Sequence, residues 1–250
     1  SRGLGDVHQR QRELRNYWAS SGATSLLPKF VDNMEMRMEY FDHCFIEGDT
    51  LETSDVVNGG AELFLYQSGY LTIKGYDDGV YILGFPNFEV RKALYRVVVP
   101  ALTMKSNSEV VSAQSFLRKM MQDGNTAEAK KALKALIADV PYSNKKMASM
   151  DMEERYRLIM STIFRALGFR VEVERMLATG RIDMIVEVPS FIYVLELKLS
   201  NNGGISAAES QINEKSYTEP FKADKRKVIA LAVELDETGK GLIDWKEVDE

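Results

Sequence analysis

The sequence predicts an α/β (α+β) protein. A mainly helical N-terminal region with one β-hairpin precedes a segment of order α-β-β-β-α-β whose strands form a mixed sheet. Three observations carry this reading. Residues 181–187 and 191–198 are rich in β-branched and aromatic side chains around Pro189-Ser190, the signature of a hairpin. Met152 to Leu167 places Glu153, Tyr156, Met160, Ile163 and Leu167 on one stripe of a helix. A second helical pattern, Ile205 to Tyr217, leads into the strand-forming run Lys227 to Glu234, and strands alternating with helices make a sheet flanked by helices.

The elements follow in order. Residues 9–40 read as helical, Gln9 to Ala19 and then Ser25 to Met38, separated by Ser20-Ser21-Gly22. Leu26, Leu27, Phe30, Val31 and Met34 recur near helical spacing. Tyr17-Trp18 reads as a buried aromatic pair rather than a binding platform. Glu62 to Tyr70 is a short helix or loop. Gly69–Tyr76 and Val80–Leu83 form a hairpin around Asp77-Asp78-Gly79, whose two aspartates serve the turn. Asn87 caps a helix through Val90, Leu94, Val97, Val98 and Leu102. Residues 107–140 are a helix pair broken at Asp123-Gly124-Asn125. Pro141–Lys146 is a polar break, and the domain boundary is placed there. Gly168 ends the helix that starts at Met152. Phe169 to Arg175 is a strand, the hairpin follows, and Thr238 to Asp249 closes the chain as an edge strand around Trp245.

Composition narrows the function classes. The chain has 250 residues, room for one large domain or two modest ones, with an ordinary globular balance of 45% hydrophobic and 28% charged residues. Its net charge of −5 disfavours a strong non-specific nucleic-acid binder. A carboxylate-rich metal site contributes negative charge of its own, so a nuclease stays compatible with that balance. The one cysteine, Cys44, fits a reducing compartment, here the cytoplasm. His8, His43 and Cys44 cannot make an ordinary structural zinc site. No apolar run is long enough to span a membrane, and no signal peptide opens the chain. The opening Ser1–Val7 has no initiator Met, reads as a truncation remnant, and is set aside from the fold.

With the hairpin turn centred between Pro189 and Ser190, Asp183 falls opposite Glu196 on one sheet face, and Lys198 shares that face. Ile182, Met184 and Val186 against Leu197, Leu195 and Tyr193 make the other face plain core. Two opposed carboxylates repel unless something compensates. A hard divalent cation would do so, and Lys198 beside it could offset charge on a phosphate. An Asp–Glu–Lys/Arg salt-bridge patch on a solvated face is the other reading. A one-residue slip would undo the alignment.

These residues resemble the PD-(D/E)XK nuclease superfamily, whose pattern is a helix acid, an Asp on the second strand and (D/E)-x-K on the third. The corresponding positions are Glu153, Asp183 and Glu196-Leu197-Lys198, with Gln211 as the polar residue on the following helix and Lys215 and Tyr217 nearby. Ile182 stands where the family name has proline, and helix register decides between Glu153 and Glu154. Gly69–Lys74, Phe85–Arg91 and Gly180–Asp183 are similar to bacterial AAA-ATPase-like proteins with a C-terminal PD-(D/E)XK domain. The resemblance implies a restriction-endonuclease-like fold at 146–250 and, at 10–145, a helical connector or tail of an ATPase region. It implies that the chain is the C-terminal part of a longer protein. No Gly-x-x-x-x-Gly-Lys-[Ser/Thr] loop is present, so nucleotide binding by this stretch is not expected. Mg²⁺ or Mn²⁺ would be held by Asp183, Glu196 and the Leu197 carbonyl. Lys198 would orient or activate water, Glu153 would shape the outer shell, and Gln211 would position substrate or water. The implied partners are nucleic acid, with DNA favoured over RNA, and the AAA-type ATPase region of the same protein, but no membrane. The rival expectation is a non-catalytic nuclease-like module serving an ATPase.

Overall fold

The computed structural model describes residues 38–52, 60–103, 105–138 and 150–249. The helical reading of residues 9–37 and the break at Pro141–Lys146 lie outside the described residues. The chain divides into two compact units, one ending at Arg91 and one running from Lys92 to Glu250.

In the first unit a 3₁₀ turn, Met38–Asp42, leads into β1 (Cys44–Glu47), α1 (Gly48–Glu52), α2 (Gly60–Gln67), β2 (Thr72–Asp77) and β3 (Val80–Gly84). The strands form an antiparallel sheet in the order β1-β3-β2. The β2–β3 hairpin is where the sequence places it. Asp78 and Gly79 both take positive φ, 42° and 86°, as the tight hairpin turn matched to strand twist requires. The sequence reading misses β1. Four residues alternating buried and exposed, Cys44 and Ile46 in, Phe45 and Glu47 out, are too few to show a period. Burial, with Glu62 nearby, pushes the Cys44 thiol up to about 11 and keeps it neutral.

The second unit holds most of α3 (Phe88–Thr103), whose first turn is capped as expected by Asn87 Oδ1 accepting from the Val90 N–H at 3.0 Å. A helical hairpin follows, α4 (Asn107–Asp123) and α5 (Thr126–Ile137). Ser106 and Glu109 close a capping box on α4. Gly124 ends α4 in the left-handed region (φ 73°), and a Cβ there would meet the Phe191 ring at 2.5 Å, so the corner needs glycine twice over. Val110, Leu117 and Met121 line the buried side of α4, while Val111 and Phe116 are exposed.

Next come α6 (Met152–Ala166), β4 (Arg170–Met176), β5 (Arg181–Glu187), β6 (Phe191–Leu199), α7 (Gly204–Lys215), β7 (Lys227–Leu235) and β8 (Leu242–Val248). They build a five-stranded sheet in the order β4-β5-β6-β7-β8, parallel between β6 and β7 and antiparallel elsewhere. This is the expected mixed sheet, consistent with a restriction-endonuclease-like fold. Helix α6 packs on β4, β5 and β6, and α7 on β6, β7 and β8. Ala208 and Ile212 of α7 meet Ile185, Ile192, Val194, Ala230 and Ala232 in one core cluster. One boundary differs from expectation. Helix α7 stops at Lys215, because Ser216 turns left-handed (φ 48°), and Tyr217 lies beyond it. Among the described residues no helix is long and apolar enough to cross a membrane.

Candidate active site

The β5–β6 register is the one the Pro189-Ser190 turn predicts. Met184 pairs with Leu195, Ile185 with Val194 and Val186 with Tyr193, and one step further brings Asp183 against Glu196. Met184, Val186, Tyr193, Leu195 and Leu197 are all buried, as expected of core positions, and Ile182, also buried, joins the cluster of Ile185 and Val194 against α7. The carboxylate pair is not on a solvated face. Asp183 is 3% exposed and Glu196 is fully buried, which excludes a merely solvated salt-bridge patch.

Each carboxylate has few partners. Asp183 Oδ2 accepts from the Leu197 N–H at 2.9 Å. Lys198 Nζ lies 2.5 Å from Glu196 Oε1. Glu196 Oε2 is buried and has no hydrogen-bond partner among the described residues. A buried acceptor left without a partner costs about 1–3 kcal/mol, more when charged. Burial first, and Asp183 second, push the Glu196 carboxyl up to about 8, against the pull of Lys198. Burial alone would lower the Lys198 ammonium, but its bond to Glu196 and the charges of Glu196, Asp183 and Glu153 outweigh that and raise it.

The shift at Glu196 has a sign that can be checked. A carboxyl raised in the folded state stabilises the fold while protonated. That stability is lost as pH climbs from the ordinary glutamate value of 4.5 toward about 8. The metal-free chain is expected to lose melting temperature across this window. Glu196→Gln, neutral throughout, should lose much less. Melting curves in a chelator from pH 5 to 8.5 decide it: parallel curves for the two chains would remove the raised carboxyl.

Helix α6 brings a third acid. Glu153, in its first turn, is half-buried and is pushed up by burial and then by Asp183. It reaches Asp183 through Arg157, one helical turn on. Arg157 Nη2 donates to Glu153 Oε1 at 3.0 Å and to Asp183 Oδ1 at 3.4 Å, and Nη1 donates to Glu174 Oε1 at 3.2 Å. Glu153, not Glu154, is the acid joined to this network. Glu174 is the β4 residue bracketed by the pairs Val173–Met184 and Arg175–Ile182, so it lies across from Asp183. It takes φ 53° in mid-strand, a conformation costing a non-glycine residue roughly 1–2 kcal/mol. Its carboxylate also takes Arg181 Nη1 at 3.0 Å.

Gln211 lies on α7 and donates through Nε2 to the Tyr217 hydroxyl at 2.9 Å; that hydroxyl donates to the Arg181 carbonyl at 2.7 Å. Burial raises the Tyr217 hydroxyl, and the charges of Glu196 and Asp183 add to it. Gln211 is thus tied to the start of β5, two residues from Asp183, through Tyr217.

Arg157 and Glu174 are the residues sequence reasoning misses. The Glu153–Arg157 spacing of four on a helix is a legible ion-pair signal. Glu174 carries none, since its place depends on a strand pairing and a left-handed backbone that propensity does not announce.

The donor set suits a hard divalent cation: two adjacent buried carboxylates, one with an oxygen unpartnered. Among the described residues no three His, Cys, Asp or Glu side chains converge closely enough to hold an ion by themselves. Backbone carbonyl and water would complete the shell.

Residues 151–245 match the family described as the PD-(D/E)XK nuclease superfamily, whose members are generally divalent-metal dependent. The chain is also similar to a protein of Azotobacter chroococcum mcd 1 described as "Uncharacterized protein in vnfD 5'region", at 24% identity over 248 residues. The alignment covers 94% of this chain and 46% of that protein, so the chain spans about half the length of the curated relative it matches. No solved structure matches. The family match takes in Glu153, Arg157, Glu174, Asp183, Glu196, Lys198 and Gln211, and supports a PD-(D/E)XK nuclease superfamily domain at residues 151–245.

Proposed function

We propose that this protein is a divalent-metal-dependent nuclease that hydrolyses phosphodiester bonds of nucleic acid, DNA before RNA. The observation that carries the reading is the Glu196 carboxylate, fully buried beside Asp183 with one oxygen unpartnered and Lys198 on the other. A protein rarely keeps such a pair in its interior without a compensating cation. Asp183 and Glu196, with the Leu197 carbonyl, would hold Mg²⁺ or Mn²⁺. When bound, such an ion makes water more acidic and offsets charge on a phosphate. Lys198 lies on the same face, and Glu196 keeps its ammonium protonated, so it serves as a donor to a phosphate oxygen or to water. Glu153 shapes the centre through Arg157. Gln211 orders the edge of the centre through Tyr217. The family match supports the nuclease class.

The test pairs melting with cleavage. Mn²⁺ is expected to raise the melting temperature of the full chain, because an ion held only by the folded state stabilises it. Asp183→Asn should abolish that rise with the fold retained, and should abolish cleavage of labelled single- and double-stranded oligonucleotides. An equal Mn²⁺ shift in both chains would remove this centre from consideration.

A second reading rests on the compensation already present: Arg157 and Lys198 pair with the carboxylates without any ion. Under it the domain is a non-catalytic module that serves an AAA-type ATPase region of a longer protein. It takes over if the wild-type chain cleaves neither DNA nor RNA with any divalent metal.

A further inference from the structure

The guanidinium of Arg157 is held by acids. Its two Nη atoms reach the carboxylates of Glu153, Asp183 and Glu174, and its Nε has no partner. Its side chain is 9% exposed, and those of the three acids are 19%, 5% and 17% exposed. A planar, permanently charged fork is suited to bridging several carboxylates in a site closed to water. In this place it joins the acid from α6 to the acid from β5.

Charge points the same way. Fully ionised, the cluster has four carboxylates, Glu153, Glu174, Asp183 and Glu196. Two largely shielded cations face them, Arg157 and Lys198, whose side chains are 9% and 15% exposed. Arg181 reaches Glu174, but its side chain is 48% exposed, so water screens most of its effect. The deficit is two positive charges, the charge of a single divalent ion. The oxygen left open for it is Glu196 Oε2, and the charges that act on Glu196 are Asp183 and Lys198, not Glu153.

Resting on the metal-dependent reading above, we propose that the centre takes one divalent cation, on Asp183 and Glu196, and that Arg157 holds the place of a second one between Glu153 and Asp183. Arg157 is then a positioning residue: it fixes Asp183 Oδ1 and makes Glu153 a ligand of arginine, not of metal. Glu174, on its strained backbone, is the anchor that keeps the guanidinium there.

The experiment counts Mn²⁺ bound to the full chain by calorimetry, checked by the electron-spin signal of free Mn²⁺. Wild type and Arg157→Lys, which keeps the charge, should each bind one ion. Glu153→Gln should still bind one ion, and Asp183→Asn none. Arg157→Gln should bind two, the second disappearing in the Arg157→Gln/Glu153→Gln double variant. Two ions in wild type, one ion in a folded Arg157→Gln, or no ion in Glu153→Gln overturns the proposal. If Arg157→Gln does not fold, Arg157→Met takes its place, with the same two ions expected and one ion overturning the proposal. Cleavage separates the two levels of argument. Two ions with cleavage sink the arginine proposal and leave the nuclease reading standing. No ion and no cleavage sink both.

Discussion

Lys198→Ala is expected to lower oligonucleotide cleavage by about 10²-fold or more, the scale of losing one charge partner of a transition state. The expectation starts from geometry. Lys198 Nζ is 2.5 Å from Glu196 Oε1, on the face that Glu196 shares with Asp183. Removing it takes away the cation nearest the place where phosphate would lie. It also strips Glu196 of its one described hydrogen-bond donor. The Glu196 carboxyl, already pushed up to about 8, then rises further, and a proton competes harder with any metal. The variant should therefore bind Mn²⁺ weakly near neutral pH and regain binding as pH rises. Turnover is best compared at saturating Mn²⁺ and at about pH 9, where the binding defect is smallest. A variant that cleaves as fast as wild type there would show that Lys198 only balances Glu196. Lost binding that no pH restores would make it part of the metal site itself.

What the sequence discloses and what it hides divide along a physical line. The Asp183–Glu196 opposition was legible because a two-residue turn fixes hairpin register, and a one-residue slip would have exchanged the two faces of β5. Both strands are buried on both faces, so the turn, and not an alternation of burial, carries that register. The helix pair was legible from its break at Asp123-Gly124-Asn125, where Gly124 ends the first helix and Asn125 caps the second. Strand β1 was not, since Cys44–Glu47 borrows its order from β3 and has too little pattern of its own. The placing of Tyr217 was also hidden. The α7 periodicity runs on through it, yet one left-handed residue, Ser216, turns its hydroxyl toward the Arg181 carbonyl. Arg157 was half-legible: its spacing from Glu153 shows an ion pair, but three-way sharing with Asp183 and Glu174 needs β4, β5 and α6 to be assembled first. The two-carboxylate core of the centre is therefore local information, and the cation that organises its rim is tertiary information.

The division into a connector at 10–145 and a nuclease-like domain at 146–250 remains a proposal, and the sheet makes its test sharp. A fragment of residues 92–250 is expected to melt cooperatively and to keep the Mn²⁺-dependent rise; a fragment of residues 146–250 should melt well below it. The reason is what α4 and α5 cover. The Tyr193 hydroxyl donates to the Met121 carbonyl at 2.6 Å, and Trp245 Nε1 donates to the Thr126 carbonyl at 3.0 Å. Lys130 pairs with Asp244 at 2.6 Å, and Thr126 bonds Glu247. Tyr193 is fully buried and Trp245 is 4% exposed; without the helices both rings face water and lose their hydrogen bonds. Uncovering two such side chains costs about 3–6 kcal/mol, or roughly 10–20 °C of melting temperature in a domain of this size. The Asp183 and Glu196 carboxylates lie on the opposite face of the sheet from Tyr193, so the metal-dependent rise should survive in whatever fraction of the short fragment folds. Equal melting temperatures for the two fragments would make α4 and α5 an appendage and put the division at Pro141–Lys146. A short fragment that never folds would show that the helices 107–137 belong to the same core as the sheet.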